Sequence, residues 1–304
     1  MSAPPTERTT PPRVPVAAAL GGALVISFSA ILYRLSETGP VTGAFFRMAY
    51  AVPVLIGIWM LQRRHDDRTW RQRGLAGLAG VFLAADVVVW SAAIDQIGAG
   101  LGTLIVNSQV VLVPFVTWAL FGERPARRAV LAMPVVMAGL AAITGLGGPD
   151  TFGDRPVLGV LLGAIAAVFY TAFLVTFRRA GRSGPASGPL LDATVGATLT
   201  VAGYGFITGT IDTTVTWPGH GWLVALALGS QVLGWLLIGY ALPRLPATVT
   251  SFAVLLQPTA TLVWGRLIFD ERPGIIQLGG VVAVLAGIAT VTWRRSPTPT
   301  PSPP

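Results

Sequence analysis

Residues 106–144 read VNSQVVLVPFVTWALFGERPARRAVLAMPVVMAGLAAIT, and residues 254–292 read VLLQPTATLVWGRLIFDERPGIIQLGGVVAVLAGIATVT. Laid on one another without a gap, at an offset of 148, they agree at eleven of 39 positions. Gln109 meets Gln257, Phe121 meets Phe269, Glu123-Arg124-Pro125 meets Glu271-Arg272-Pro273, and Ala138-Gly139 meets Ala286-Gly287. Apolar stretches match by chance more often than soluble ones do. The informative part is therefore the charged triplet held at one distance from a glutamine, and it divides the chain into two related halves.

The halves are built for lipid. Of 304 residues, 53% are hydrophobic and 11% charged, with a mean hydropathy of +0.67, whereas soluble domains carry about 25% charged residues. Read in windows of about 19 residues, the chain offers apolar segments near 14–35, 40–61, 74–97, 98–121, 126–146, 157–177, 191–211, 220–242, 246–269 and 274–293. Each approaches the roughly 20 residues that cross about 30 Å of hydrocarbon as a helix. The expectation is an all-α integral membrane protein of ten transmembrane helices, arranged as two inverted five-helix repeats over 14–146 and 157–293. The Pro-, Ser- and Thr-rich ends, 1–13 and 294–304, read as disordered tails.

All 21 basic residues are arginine, and their placement orients the bundle. Cytoplasmic loops retain Lys and Arg while short exported loops lose them. One set of alternate loops and ends holds sixteen arginines, five of them within Gln62–Arg73; the other holds Arg34, Arg155 and Arg272. Both termini are then cytoplasmic, as an even helix count requires, in the cytoplasmic (inner) membrane of a cell. A net charge of +8 invites nucleic acid as a partner. The arginines lie in short loops between apolar segments rather than on one basic face, so the expected partner is the bilayer surface.

Five helices per half reverse the second half relative to the first, placing Glu123 at the cytoplasmic face and Glu271 outside. Inverted repeats about a midplane site let two similar halves exchange conformations and expose the site to each side in turn. Here the chain resembles the EamA-type branch of the drug/metabolite transporter superfamily. The likeness spans about residues 14–293 and rests on the ten segments, the two halves, Phe45-Phe46-Arg47, and Gly122-Glu123-Arg124-Pro125 with Asp270-Glu271-Arg272-Pro273. It implies a carrier for metabolites, amino acids or drugs, often exporting, with a central cavity between the halves. Asp270 stands where such families often show glycine.

An ionisable group at the bilayer centre costs at least ~2.5 kcal/mol on insertion scales, which makes it a functional candidate. Asp86 lies twelve residues into segment 74–97, about 18 Å along its axis, with Trp90 one turn further on the same face. It reads as a cavity carboxylate, for a solute cation or a proton, or as a partner of Arg47. Arg47 either snorkels to the outer interface or holds an anionic solute. Gln231 and Trp235 repeat the pairing in the corresponding helix of the second half, and Gln109 and Gln257 offer amides for solute or for interhelical hydrogen bonds. Pro114 and Pro258 mark expected bends. The Gly39–Gly43 and Gly98–Gly102 spacings permit a homodimer contact.

Other chemistries lack their residues. The chain has no cysteine, and its two histidines, His65 and His220, are far apart in loop-like sequence. No phosphate loop, dinucleotide fingerprint, serine-triad motif or His-Glu-x-x-His pattern occurs, so neither cofactor nor enzymatic activity is expected. A membrane enzyme would need clustered acids, histidines or cysteines, and a scaffold subunit would need long soluble loops. The reading that remains is a secondary transporter of a small polar solute working by alternating access, and an exporter.

Overall fold

A computed structural model describes residues 13–143, 155–182, 184–269 and 274–292. The expected tails and the second Glu-Arg-Pro triplet lie outside them, apart from Arg13. Every regular element among these residues is helical: α1 Arg13–Ser27, α2 Ser29–Ser36, α3 Pro40–Gln62, α4 Trp70–Asn107, α5 Gln109–Phe121, α6 Arg127–Ile143, α7 Pro156–Ala180, α8 Ser187–Thr208, α9 Gly219–Leu226, α10 Trp235–Ala241, α11 Ala247–Val254, α12 Leu256–Phe269 and α13 Ile275–Thr292. A π-helical turn, Ala227–Gly234, joins α9 to α10. Eight stretches are long and apolar enough to cross a membrane, and Ile105–Phe121 is a shorter apolar helix. Large apolar side chains such as Leu61, Leu131, Ile207 and Ile275 stand exposed around the perimeter, the surface expected where the solvent is lipid rather than water.

Local chemistry sets the helix ends. Thr69 and Gln72 close a capping box at the start of α4, satisfying backbone donors that the first turn leaves free. Pro40 opens α3, where a missing N–H costs nothing. At the end of α5, Gly122 takes φ 70°, a left-handed conformation that a Cβ would oppose, and so turns the chain directly into Glu123.

Several expected segments are not single α-helices. The ladder does not stop between 97 and 98 but runs to Asn107, with no proline in that stretch to remove a donor. The stretch 70–121 nevertheless folds back. At its start Arg68 bonds Asp192 of α8; at its end Glu123 pairs with Arg178 of α7, and these partners flank one connector. A straight helix would hold those ends roughly 78 Å apart at 1.5 Å per residue. Phe82, whose ring stacks 6.4 Å from Phe169, lies on one limb, and Ile105, packed on Gly163, lies on the other.

Segment 14–35 breaks at Phe28. The freed Ser27 carbonyl accepts from Thr261 Oγ1 at 2.9 Å, and Trp264 Nε1 donates to Ser27 Oγ at 2.8 Å. The other two breaks are related. Ser108 (φ −60°, ψ −10°) separates α4 from α5, and Leu255 (φ −66°, ψ −9°) separates α11 from α12. Under the 148-residue offset these positions coincide within one residue. Pro258 contributes to the second break by leaving Val254 without its donor, whereas Pro114 sits inside an unbroken α5.

The repeat is also visible in packing. A Cβ on Gly139 of α6 would come 3.0 Å from Val284 Cγ2 of α13, and one on Gly287 of α13 would collide with Val136 Cγ2 of α6. Gly139 corresponds to Gly287 and Val136 to Val284, so the two contacts are one contact repeated, as a two-fold relation between halves demands. Gly43, considered for a dimer, instead faces Tyr33 of its own chain, where a Cβ would collide with the ring.

The halves are further joined by a buried ion network at the Glu123 end of the bundle. Arg68 holds Asp66 through Nε at 2.7 Å and Nη2 at 3.0 Å, and reaches Asp192 of α8 through Nη1 at 2.8 Å. Trp59 Nε1 also donates to Asp66, at 2.7 Å. The Asp66 and Arg68 side chains are 0% and 1% exposed, and a Cβ on Gly188 would collide with the guanidinium. Hydrogen bonds from Arg68 hold the Asp66 carboxyl down at about 2.

Removing one partner of a buried pair strands the other charge, so Arg68→Met should lower stability by about 3–5 kcal/mol. The depressed Asp66 pKa adds stability that is complete above 3.8 and is lost as pH falls towards about 2. Thermal unfolding in detergent, followed from about pH 6 to about pH 3, should therefore show a flatter acid limb in Arg68→Met than in the parent. Parallel curves would assign no role to the network.

Candidate solute-binding site

Arg47, one turn above Tyr50 on α3, turns inward. Its Nε donates to Gln231 Oε1 at 3.2 Å, and Gln231 Nε2 donates onward to Thr194 Oγ1 of α8 at 3.1 Å. Gln231 is 1% exposed and lies in the π-helical turn, a geometry often found where a helix is distorted to aim a side chain. The chain of bonds thus begins in the first half and ends in the second. The Arg47 side chain is half-buried and bonds Gln231, and it forms no ion pair with Asp86 among the described residues.

Asp86, on α4, is buried, and its Oδ1 has no hydrogen-bond partner among the described residues. An unpaired buried carboxylate is costly. Tyr170 of α7, itself buried, lies within electrostatic reach of both Asp86 and Arg47. Elements of both halves, α3 and α4 from one and α7, α8 and the π-helical turn from the other, therefore bring a carboxylate, a guanidinium, a phenol, an amide and a hydroxyl to one region.

Aromatic rings wall this region. Trp235, 3% exposed, meets Phe173 edge-on at 4.9 Å and Phe177 at 6.1 Å, and Phe173 stacks on Tyr170 at 6.1 Å. The indole Nε1 atoms of Trp235 and Trp90 are buried without acceptors among the described residues. An interfacial tryptophan would show its N–H to water or headgroups, and these two do not.

The glutamine pair is not part of the same chain of bonds. Gln109, 0% exposed, donates from Nε2 to Ser251 O of α11 at 3.4 Å, while its Oε1 is unpartnered. Gln257 Nε2 is also unpartnered among the described residues, and no bond joins the two amides there. His220 is not in a loop but opens α9, 4% exposed, with Nδ1 2.6 Å from the Tyr50 hydroxyl and Nε2 3.2 Å from Thr214 O. Among the described residues no group of three acids or histidines can hold a metal.

Sequence reading missed Tyr170 and Thr194. The signal for Tyr170 was available: a phenol near the middle of an apolar segment, away from the interfaces where tyrosine collects. For Thr194 there was none, because threonines in membrane helices commonly bond their own backbone, as Thr198 does to Thr194 O.

The model of the EamA-like transporter family matches residues 14–145 and 157–293. One solved crystal structure superposes with a TM-score of 0.78 at 17% sequence identity, covering 91% of this chain and 98% of that one; at this identity the likeness concerns fold alone. Comparison with curated proteins finds no match.

The Arg47–Gln231 bond joins a cation to a buried amide, a class worth about 1.5–3 kcal/mol. A double-mutant cycle on detergent-purified protein with Arg47→Met and Gln231→Leu should give a coupling of about 1 kcal/mol or more. Additive losses would mean that the two side chains do not act together.

Proposed function

Because the chain belongs to the EamA-like transporter family, we propose that it is a secondary carrier which moves a small polar metabolite, amino acid or drug across the cytoplasmic membrane by alternating access, in the direction of export. It crosses the bilayer ten times, with both termini and the Glu123 end of the bundle in the cytoplasm, and Asp270 and Glu271 outside. Family membership implies transport rather than catalysis.

The observation that carries the reading is the gathering of unsatisfied polar groups where the halves meet. Asp86 Oδ1 and the indole N–H groups of Trp90 and Trp235 are buried and unpartnered among the described residues, beside the Arg47–Gln231–Thr194 chain. A polar solute supplies what these groups lack: a donor for Asp86, acceptors for the indoles, and an apolar body for the Trp235–Phe173 wall. Arg47 answers a negative group. Gln109 and Gln257, each with an unpartnered amide atom, are the repeat-related contacts on the α5 and α12 side.

Growth of an expressing strain across panels of toxic amino acids, metabolites and dyes identifies the solute. Asp86→Asn then separates two roles. As a proton carrier Asp86 is required for accumulation against a gradient but not for exchange. As a fixed anion it is required for affinity. Transport with unchanged rate, affinity and pH profile in Asp86→Asn would remove it from the site.

Topology has its own test, since the chain contains no cysteine. Single cysteines introduced by Gly122→Cys and Asp270→Cys should label from opposite faces of oriented vesicles with an impermeant thiol reagent. Labelling of both from one face would overturn the inverted arrangement.

A further inference from the structure

Arg178, at the C-terminal end of α7, is 8% exposed and fully engaged. Its Nη1 donates to Glu123 Oε1 and Oε2 at 2.8 and 2.9 Å, its Nε to Leu242 O at 3.0 Å, and its Nη2 to Leu245 O at 3.1 Å. Glu123 follows α5 in the first half, Arg178 ends α7, and Leu242 and Leu245 belong to the connector between α10 and α11. One guanidinium therefore ties three segments from both halves. Arg182 Nη2 stands 4.0 Å from Glu123 Oε1, a second cation ready to receive the carboxylate.

A small cleft lined by Val113, Leu174, Ala247, Thr250 and Ser251 also has Arg178 in its wall. The Thr250 hydroxyl in its wall is buried and unpartnered among the described residues. Within the pair the guanidinium is the buried member and the carboxylate the partly exposed one, at 10% and 31% side-chain exposure.

Two ion pairs at the same end of the bundle differ in the one property that separates a strut from a latch. In the Asp66–Arg68 pair both side chains are sealed, at 0% and 1% exposure, and parting them would strand both charges. In the Glu123–Arg178 pair the carboxylate is already 31% exposed. Water replaces its partner as the pair opens, and Arg182 replaces part of the lost charge. With the carboxylate rehydrated and the buried guanidinium still held by the Leu242 and Leu245 carbonyls, this pair opens at lower cost than the sealed one.

We propose that Glu123 and Arg178 form the latch that closes the solute pathway at the cytoplasmic end, and that each transport cycle breaks and remakes this pair. The proposal rests on the carrier reading. It gives a role to the glutamate of the repeated Glu-Arg-Pro triplet, which the solute site leaves unused. Glu123 and Arg178 are positioning residues: they touch one another and the connector, not the solute.

The test uses the full chain carrying Thr250→Cys in inside-out membrane vesicles, with an impermeant thiol reagent added from the Glu123 face. The introduced cysteine should label slowly while the latch is closed. Adding Glu123→Gln, which keeps shape but removes charge, should make it label about tenfold faster, the change in open population produced by losing about 1.4 kcal/mol. Glu123→Asp, which keeps the charge, should restore most of the protection; Glu123→Ala, which also removes the charge, is the comparison where the glutamine variant does not insert. Equal labelling rates in the parent and in whichever charge-removing variant inserts would overturn the latch. Labelling reports access, not flux. A failed carrier reading would leave the labelling difference with no solute moved, and a failed latch would leave flux with labelling unchanged.

Discussion

Hydrocarbon offers no hydrogen bonds, so each polar group that this chain takes into the membrane must find its partner inside the protein. Most do so at the shortest range. Thr117, Thr200, Thr259, Thr261 and Thr290 each donate to the carbonyl four residues earlier, hiding a hydroxyl against its own helix. Where the backbone breaks at Phe28, α12 supplies the missing donor through Thr261. Against this background the unmet groups stand out. Asp86, Trp90 and Trp235 are among them, and so are Thr171 and Ser230, the sequence neighbours of Tyr170 and Gln231. Most of that cost falls on α4, α7 and the π-helical turn, among the elements through which the two halves meet.

Once polar groups are satisfied, close packing holds the helices, because lipid tails leave little hydrophobic drive between them. Small residues permit it. A Cβ on Gly80 of α4 would collide with the Ala193 carbonyl of α8, and one on Gly196 with the Gly77 carbonyl. The α6–α13 contact follows the same logic and repeats itself through Gly139 and Gly287. Backbones this near leave no room for a side chain between them. The breaks at Ser108 and Leu255, matched within a residue by the repeat, are where the helices are already interrupted in both halves.

Charge is distributed with comparable economy. Arg68 lies in the arginine-rich loop after α3, yet its side chain is 1% exposed and serves as a cross-link to Asp192 rather than as a surface cation. Arg178, counted among the same loop arginines, caps the connector carbonyls of Leu242 and Leu245. Arginine suits both places because its planar fork makes several directed bonds at once, which an ammonium does not.

The helical class and the two halves were legible in the sequence because they depend on transfer energies that add residue by residue and on a triplet repeated at one offset. Asp86, Arg47 and Gln231 were legible for the same reason, as costly groups at membrane depth. The bond from Arg47 to Gln231, the contributions of Tyr170 and Thr194, and the burial of His220 were not. Each depends on how far a helix is rotated and where its backbone is interrupted. The turn-back within 70–121, the π-helical turn at 227–234 and the breaks at Phe28, Ser108 and Leu255 arise from contacts between residues distant along the chain. Apolar periodicity cannot encode them, since a helix that meets lipid on one side and apolar neighbours on the other carries little contrast between its faces. The sequence by itself determined that the chain is a succession of apolar helices in two related halves; only the packed structure decided which of their polar atoms meet, because that choice is made by steric fit between helices and not by the solvent each residue prefers.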